Sequence, residues 1–329
     1  LHAVILDLDS LNPQDLDLTP LRHCLPDWEF HDQTLPEQVA TRIQHASVIV
    51  TNKVRITQEH LDAAPQLRLI CVAATGTDNI ALEAAARAGV VVSNARNYAT
   101  ASVVEHVFSM LLTLTRQLDT YRERVRSGDW SRSPHFCLFD ATISELSGKT
   151  LGIIGYGTLG KAVAKLAQAF SMQIQIAQRV YGPPLPDRIP LQELLATSDI
   201  VSLHCPLTDQ TRGLIGAAEL ASMKSSAILV NTARGGIVDE QALVSALKEN
   251  RIAAAAVDVA QYEPPEVSSP LLGYRSPRLI LTPHIAWASQ AARQRLVTEI
   301  VENILAFQSG KPRNAIQPAA TGAPYRDER

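Results

Sequence analysis

LGIIGYGTLGKAVAKLAQAF, residues 151–170, is the stretch that decides the fold. It opens with a short apolar run, as a buried strand requires. Gly155-Tyr156-Gly157-Thr158-Leu159-Gly160 follows, and then Val163, Leu166, Ala167 and Phe170 recur at helical spacing. Strand, G-x-G-x-x-G turn and helix in that order form a dinucleotide-binding signature, whereas the glycine pattern alone carries little weight. The first glycine permits the tight turn. The second lets backbone approach a pyrophosphate, and the third lets helix and strand pack closely. N–H groups at the helix mouth and the positive end of its dipole then face the phosphates. Gly155, Gly157, Thr158, Leu159 and Gly160 are therefore candidate cofactor residues.

The end of the next strand, MQIQIAQR, bears on which dinucleotide binds. An acid there hydrogen-bonds the ribose of NAD, and an arginine accommodates the 2′-phosphate of NADP. The chain offers Gln178 and Arg179, with no acid until Asp187. NADP(H) is therefore favoured over NAD(H). The alternative is an arginine that stacks on adenine or faces solvent.

Around this stretch the chain reads as two alternating series, which argues for parallel sheets covered on both faces. HAVILDL, ASVIVTN, LRLICVAA and VVVSN are strands of the first series, with a helix over 81–88 closed by Gly89. A long amphipathic helix is expected from about Ala101 to Arg126, then a loop to residue 150. The second series continues from Leu151 through strands ending in DIVSLHC, AILVNTA, IAAAAVDV and LILTPH. Asp239 stands where a helix N-cap belongs. Gln290 to Phe307 reads as a long helix with Leu296, Ile300, Ile304 and Phe307 along one stripe. The last dozen residues are expected to fray or wrap a surface.

Bulk properties exclude several classes. With 329 residues there is room for two cored domains, and a net charge of -3 gives no reason to expect nucleic acid or a membrane surface as partner. No apolar run approaches the roughly 18 residues of a membrane span. LHAVILDLDS reads as a first strand rather than a signal peptide. Cys24, Cys71, Cys137 and Cys205 are scattered, with no C-x-x-C pair, so reduced thiols in a cytoplasmic protein are expected and a metal site is not.

Three polar residues follow apolar segments of the second series: Arg234 after ILVNTA, Glu263 after VDVAQY, and His284 after LILTP. Ligands of parallel α/β sheets bind at the carboxyl ends of strands. Each residue alone has an ordinary explanation as a loop or turn residue, and only the set beside the nucleotide signature points to chemistry.

GYGTLG, NTARGGIVDEQAL, DVAQYEPP and TPHIAW, in this order, together with ATGTDNI and NYATASVVEHVFSMLL upstream, resemble the successive signature blocks of the D-isomer-specific 2-hydroxyacid dehydrogenase family. The resemblance covers nearly the whole chain. It implies a Rossmann nucleotide domain, 98–285, inserted into a flavodoxin-like substrate domain made of 1–97 and 286–329, both doubly wound parallel sheets. It implies Arg234, Glu263 and His284 as the catalytic trio. Arg234 would hold the carboxylate of a 2-keto acid and polarise its ketone. His284 would give a proton to the carbonyl oxygen, with Glu263 holding the imidazole. Backbone N–H groups of Ala74-Thr75-Gly76 would take the substrate carboxylate, since backbone reaches a small anion only where side chains do not intrude. Thr100, Val104, Cys205, Pro206, Thr232 and Asp258 match positions that line the cofactor, with Asp258 accepting from the carboxamide.

Trp287 and the double proline after Glu263 resemble the glycerate dehydrogenase and hydroxypyruvate reductase branch. A pocket walled by Trp287 would suit hydroxypyruvate or glyoxylate. Ser171 and Gln178 depart from the family pattern, and the latter puts NAD use in doubt. The long helix from Ala101 and the loop through Trp130 and Phe136 resemble the family's dimer-forming region, so a homodimer is expected. The alternative is a cofactor-sensing, corepressor-like binding protein of the same fold with weak dehydrogenase activity.

Overall fold

The computed structural model describes residues 1–180 and 182–316. The chain divides into two compact units, Leu1–Ala99 with residues 288–316, and Thr100–Trp287. The expectation for the last dozen residues lies outside the described ones. No described helix is long and apolar enough to cross a membrane.

The first unit is built on strands β1 (His2–Ile5), β2 (Asp27–Phe30), β3 (Val48–Thr51), β4 (Leu69–Val72) and β5 (Val91–Asn94). All pair in parallel, in the order β2-β1-β3-β4-β5, which is the flavodoxin-like winding. Every residue of β3 and β4 is buried, as expected of central strands covered on both faces. One covering layer packs Val39, Ile43, Ala84 and Ala85 against Ile49 and Ile70. The helix Gln290–Gln308 contacts β4 and β5 and buries Leu296, Val297, Ile300 and Ile304. Phe307 is only half-buried, under the Arg68 guanidinium. The return of the chain is locked by polar contacts. Buried Asn303 donates to Asn94 O at 2.9 Å, and Ile316 N donates to Val92 O at 2.7 Å. Arg293, also buried, makes two bonds of 2.7 Å to the Asp15 carboxylate and donates to the carbonyls of Leu11 and Asn12.

The second unit carries β6 (Thr150–Ile154), β7 (Gln173–Ile176), β8 (Ile200–Leu203), β9 (Ile228–Asn231), β10 (Ala254–Val257) and β11 (Leu279–Leu281). They form one parallel sheet in the order β11-β10-β9-β8-β6-β7. A further strand beside β7 is reduced to a single parallel bridge, Ala177 to Ile189. Counting that bridge, the winding is that of a Rossmann sheet with one strand added beyond β10. The helix Thr158–Ala169 packs on β6 and β7, and Phe170 at its end stacks on Phe108 of the helix Thr100–Arg116 with ring centroids 5.2 Å apart.

Three local expectations are corrected. The sequence reading assigned no strand to Asp27–Phe30, which forms the half-exposed edge strand β2. The single helix expected over 101–126 is two, Thr100–Arg116 and Leu118–Arg126, broken where Gln117 takes φ 56°. The stretch expected as loop contains a short helix, Asp129–Arg132.

Candidate active site

The glycine run forms the turn from β6 into the helix Thr158–Ala169, with Gly157 at the N-cap. Gly155 has φ +94°, and a Cβ there would lie 2.5 Å from the backbone of His204 and Cys205. At Gly160 a Cβ would stand 2.2 Å from Gly155 O. These two positions admit no side chain, so bare backbone lines the helix mouth where Thr158 and Leu159 begin the first turn. A pyrophosphate fits such a mouth.

Two orphaned polar atoms stand at the neighbouring strand ends. Thr232 Oγ1, after β9, and His204 Nδ1, after β8, are buried with no hydrogen-bond partner among the described residues. Such groups call for a partner, and a polar cofactor across these strand ends fits them. His204 Nε2 is held by Ser202 Oγ at 2.8 Å, and burial pushes its imidazole down to about 4. Burial also pushes the Cys205 thiol up to about 11. Pro206 is exposed and its carbonyl accepts from Thr211 at 2.7 Å. Val104 is buried and Thr100 half-buried at the start of their helix. The sequence reading did not single out His204, although its place after DIVSL was the signal.

Beyond β7, Arg179 is exposed and helps line a hollow of about 150 Å³ with Ile154, Ala177, Val180 and Leu191. The Gln178 side chain turns to the loop that follows. Its amide donates to Leu185 O and Arg188 O at 3.0 and 3.1 Å, and its Oε1 accepts from Leu185 N at 2.9 Å. The side chain stitches the proline-rich loop.

The three chemical residues follow three adjacent strands, β9, β10 and β11. Asn231 shapes the Arg234 turn, donating to Arg234 O at 2.9 Å and accepting from Ala233 N at 3.1 Å. A Cβ at Gly235 would lie 1.8 Å from Ala260 O, so this turn packs directly on the segment after β10. The Arg234 guanidinium donates to Ala233 O at 2.8 Å. Glu263 Oε1 accepts from Ala260 N at 3.1 Å, which leaves Oε2 at 2.6 Å from His284 Nδ1. His284 has φ +55°, and its N–H donates to Asp258 O at 2.7 Å. A carboxylate on one ring nitrogen orients the other, Nε2, as the atom that can exchange a proton with a bound carbonyl oxygen.

Asp258 is buried and its carboxylate faces the turn that bears His284. It accepts from the N–H groups of Ile285 and Ala286 at 2.9 Å each and from the Thr282 hydroxyl at 2.5 Å. These bonds anchor that turn. Trp287 is half-buried just beyond.

In the first unit, Ala74-Thr75-Gly76 follows β4 and is pinned to the segment after β5. Thr75 donates to Ala95 O at 3.0 Å, and Asn94 Nδ2 donates to Thr75 O at 2.6 Å. Among the described residues no group of His, Cys, Asp and Glu could hold a metal ion.

A family model described as D-isomer specific 2-hydroxyacid dehydrogenase, NAD binding domain, matches residues 108–286. The chain is 45% identical over 289 residues to a glycerate dehydrogenase of Methylorubrum extorquens, covering 88% of this chain and 91% of that one. It is 37% identical over 323 residues to a hydroxypyruvate reductase of Blautia hydrogenotrophica, covering 96% and 99%. Among solved structures it resembles an NADPH-dependent glyoxylate/hydroxypyruvate reductase of Sinorhizobium meliloti in complex with NADP and malonate. The TM-score is 0.80 at 27% identity, with 96% of each chain covered.

Proposed function

The chain belongs to the D-isomer-specific 2-hydroxyacid dehydrogenase family and is an oxidoreductase, and we propose that it reduces hydroxypyruvate and glyoxylate, with NADP(H) preferred over NAD(H). The observation that carries the reaction is the Glu263–His284 pair, 2.6 Å apart, at the carboxyl ends of strands beside a dinucleotide turn. When bound, the nicotinamide supplies a hydride to the carbonyl carbon. Everything else falls to the chain. Arg234 presents a planar cationic fork to the substrate carboxylate and draws charge from the ketone. His284, protonated and held through Nδ1, delivers a proton from Nε2 to the carbonyl oxygen, completing the 2-hydroxy acid. Trp287 limits the size of the group beyond the ketone.

Arg179 supports the cofactor preference: it stands exposed at the end of β7, where Gln178 is already engaged and no acid is present to select a ribose hydroxyl. The similarity to the NADPH-dependent reductase points the same way. The exposed aromatic side chains of Trp130, Phe136 and Phe139 support a homodimer. Free cysteines support a cytoplasmic setting. The domain division we propose is a substrate domain of the first unit and a nucleotide domain of the second.

The test is oxidation of NADPH and NADH with hydroxypyruvate, glyoxylate and pyruvate. Hydroxypyruvate and glyoxylate are expected to give the highest kcat/KM, and NADPH to exceed NADH. Arg179→Ala is expected to abolish the difference between cofactors. Turnover of none of the three acids would reject the function, and an NADH preference would reject the cofactor assignment. Light scattering that finds a monomer would reject the dimer.

A further inference from the structure

The turn that bears His284 is held from two sides, and the second side is the helix Thr100–Arg116. Ser102 Oγ donates to Ala286 O at 2.7 Å, and His106 Nε2 lies 3.0 Å from Thr282 Oγ1. Ser102 and His106 are four residues apart, so they share one face of that helix. Opposite them, Asp258 receives Thr282 Oγ1–H and the N–H groups of Ile285 and Ala286. Thr282 therefore lies between an imidazole and a carboxylate, and this fixes the direction of each bond. An ionised carboxylate only accepts, so the Thr282 hydroxyl donates to Asp258. Its oxygen must then accept from His106, whose Nε2 carries a proton. The His106 ring also stands 3.5 Å from Asp258 Oδ1.

Such a clamp answers a local need. His284 sits at φ +55°, in a region that costs a residue with a Cβ about 1–2 kcal/mol. Residues persist there when their surroundings over-determine them. Asp258 fixes the turn by three donors, and the helix fixes its first and fifth residues, Thr282 and Ala286.

We propose that Ser102 and His106 are positioning residues for His284, holding the 282–286 turn so that the imidazole meets both Glu263 and the substrate carbonyl. This rests on His284 as proton donor. The helix thus takes a part in the reaction beyond any part in association. His106 acts through Thr282 and Asp258 without touching substrate.

Three variants test it. His106→Leu removes the donor, His106→Gln restores an N–H near the place of Nε2, and Ser102→Ala deletes the other contact. His106→Leu is expected to lower kcat about 10- to 100-fold, with KM for hydroxypyruvate and Kd for NADPH nearly unchanged, as misplacement of a proton donor requires. His106→Gln should recover most of that loss. Hydrogen exchange of the peptide spanning 282–288 should quicken in His106→Leu and Ser102→Ala, and not in His106→Gln. Unchanged exchange in both would overturn the proposal, and so would a His106→Gln enzyme as impaired as His106→Leu, which would make the effect one of packing. If exchange quickens while turnover holds, the clamp stands and it is His284 as proton donor that fails. Should His106→Leu not fold, Ser102→Ala carries the same comparison.

Discussion

At the scale of single residues, the site turns on how one imidazole is held. Glu263 occupies Nδ1 of His284 at 2.6 Å, which leaves Nε2 for the proton transfer proposed above. His284→Ala should therefore lower kcat for hydroxypyruvate about 10²–10⁴-fold, the usual contribution of a positioned acid, while Kd for NADPH, measured by fluorescence titration, stays near the wild-type value. A second imidazole makes a different prediction. Burial holds His204 down to about 4, below its ordinary 6.5. Between those two values the unfolded chain takes up a proton that the folded chain refuses, so stability falls as pH drops from 6.5 toward 4. The loss is at most about 1.4 kcal/mol per pH unit. His204→Gln, which keeps a donor toward Ser202, should lose less urea resistance between pH 7 and pH 5 than the wild type. Equal losses in the two proteins would show that His204 is not the group responsible. Arg234, Glu263 and His284 stand out in the sequence only as a set, each after an apolar segment and all beside the nucleotide signature. Ser102 and His106 do not: on a helix with an apolar stripe they read as ordinary polar residues, and only the fold brings the turn to them.

At the scale of elements, legibility followed burial. The central strands of both sheets are apolar runs and stand out in the chain. Edge strand β2, DWEF, is exposed at Asp27 and Glu29, so it carries no apolar run to read. Gln117 breaks a helix without Gly or Pro, and the apolar period before it hides the break. The bridge at Ile189 lies in a proline-rich loop that forbids a longer strand. The turn between β6 and its helix was legible because its glycines are sterically required. Gly160→Ala would set a Cβ 2.2 Å from Gly155 O and 3.2 Å from Ile153 Cγ2, with backbone that cannot yield. It should cost about 1–3 kcal/mol by urea unfolding and weaken NADPH binding as the helix mouth shifts. Gly273→Ala is the control, since a Cβ there meets nothing within 4 Å. If both variants bind NADPH as the wild type does, close packing at Gly160 is not what shapes the cofactor turn.

At the scale of the whole molecule, the chain leaves its first unit at residue 99 and returns to it at 288. The winding of that unit was readable from alternating strands and helices, but the contacts that fasten the return, Arg293 on Asp15 and Asn303 on Asn94, join residues hundreds of positions apart and leave no local trace. Leu296, Val297, Ile300 and Ile304 are each worth about 1.5–3 kcal/mol when buried. A chain ending at residue 288 should therefore lose the first unit's cooperative unfolding transition and keep the second unit's, still binding the nicotinamide cofactor. Two transitions surviving in that truncation would mean the first unit closes without its last helix. The discontinuity also sets an order of events on the ribosome. Residues 1–99 emerge first, yet their sheet lacks the helix Gln290–Gln308 until 188 further residues, 100–287, have been made. At typical elongation rates that is roughly 10–40 s. The unit synthesised second is contiguous and can finish first, so the nascent chain must keep the bare face of β4 and β5 from aggregating until the helix Gln290–Gln308 has been made.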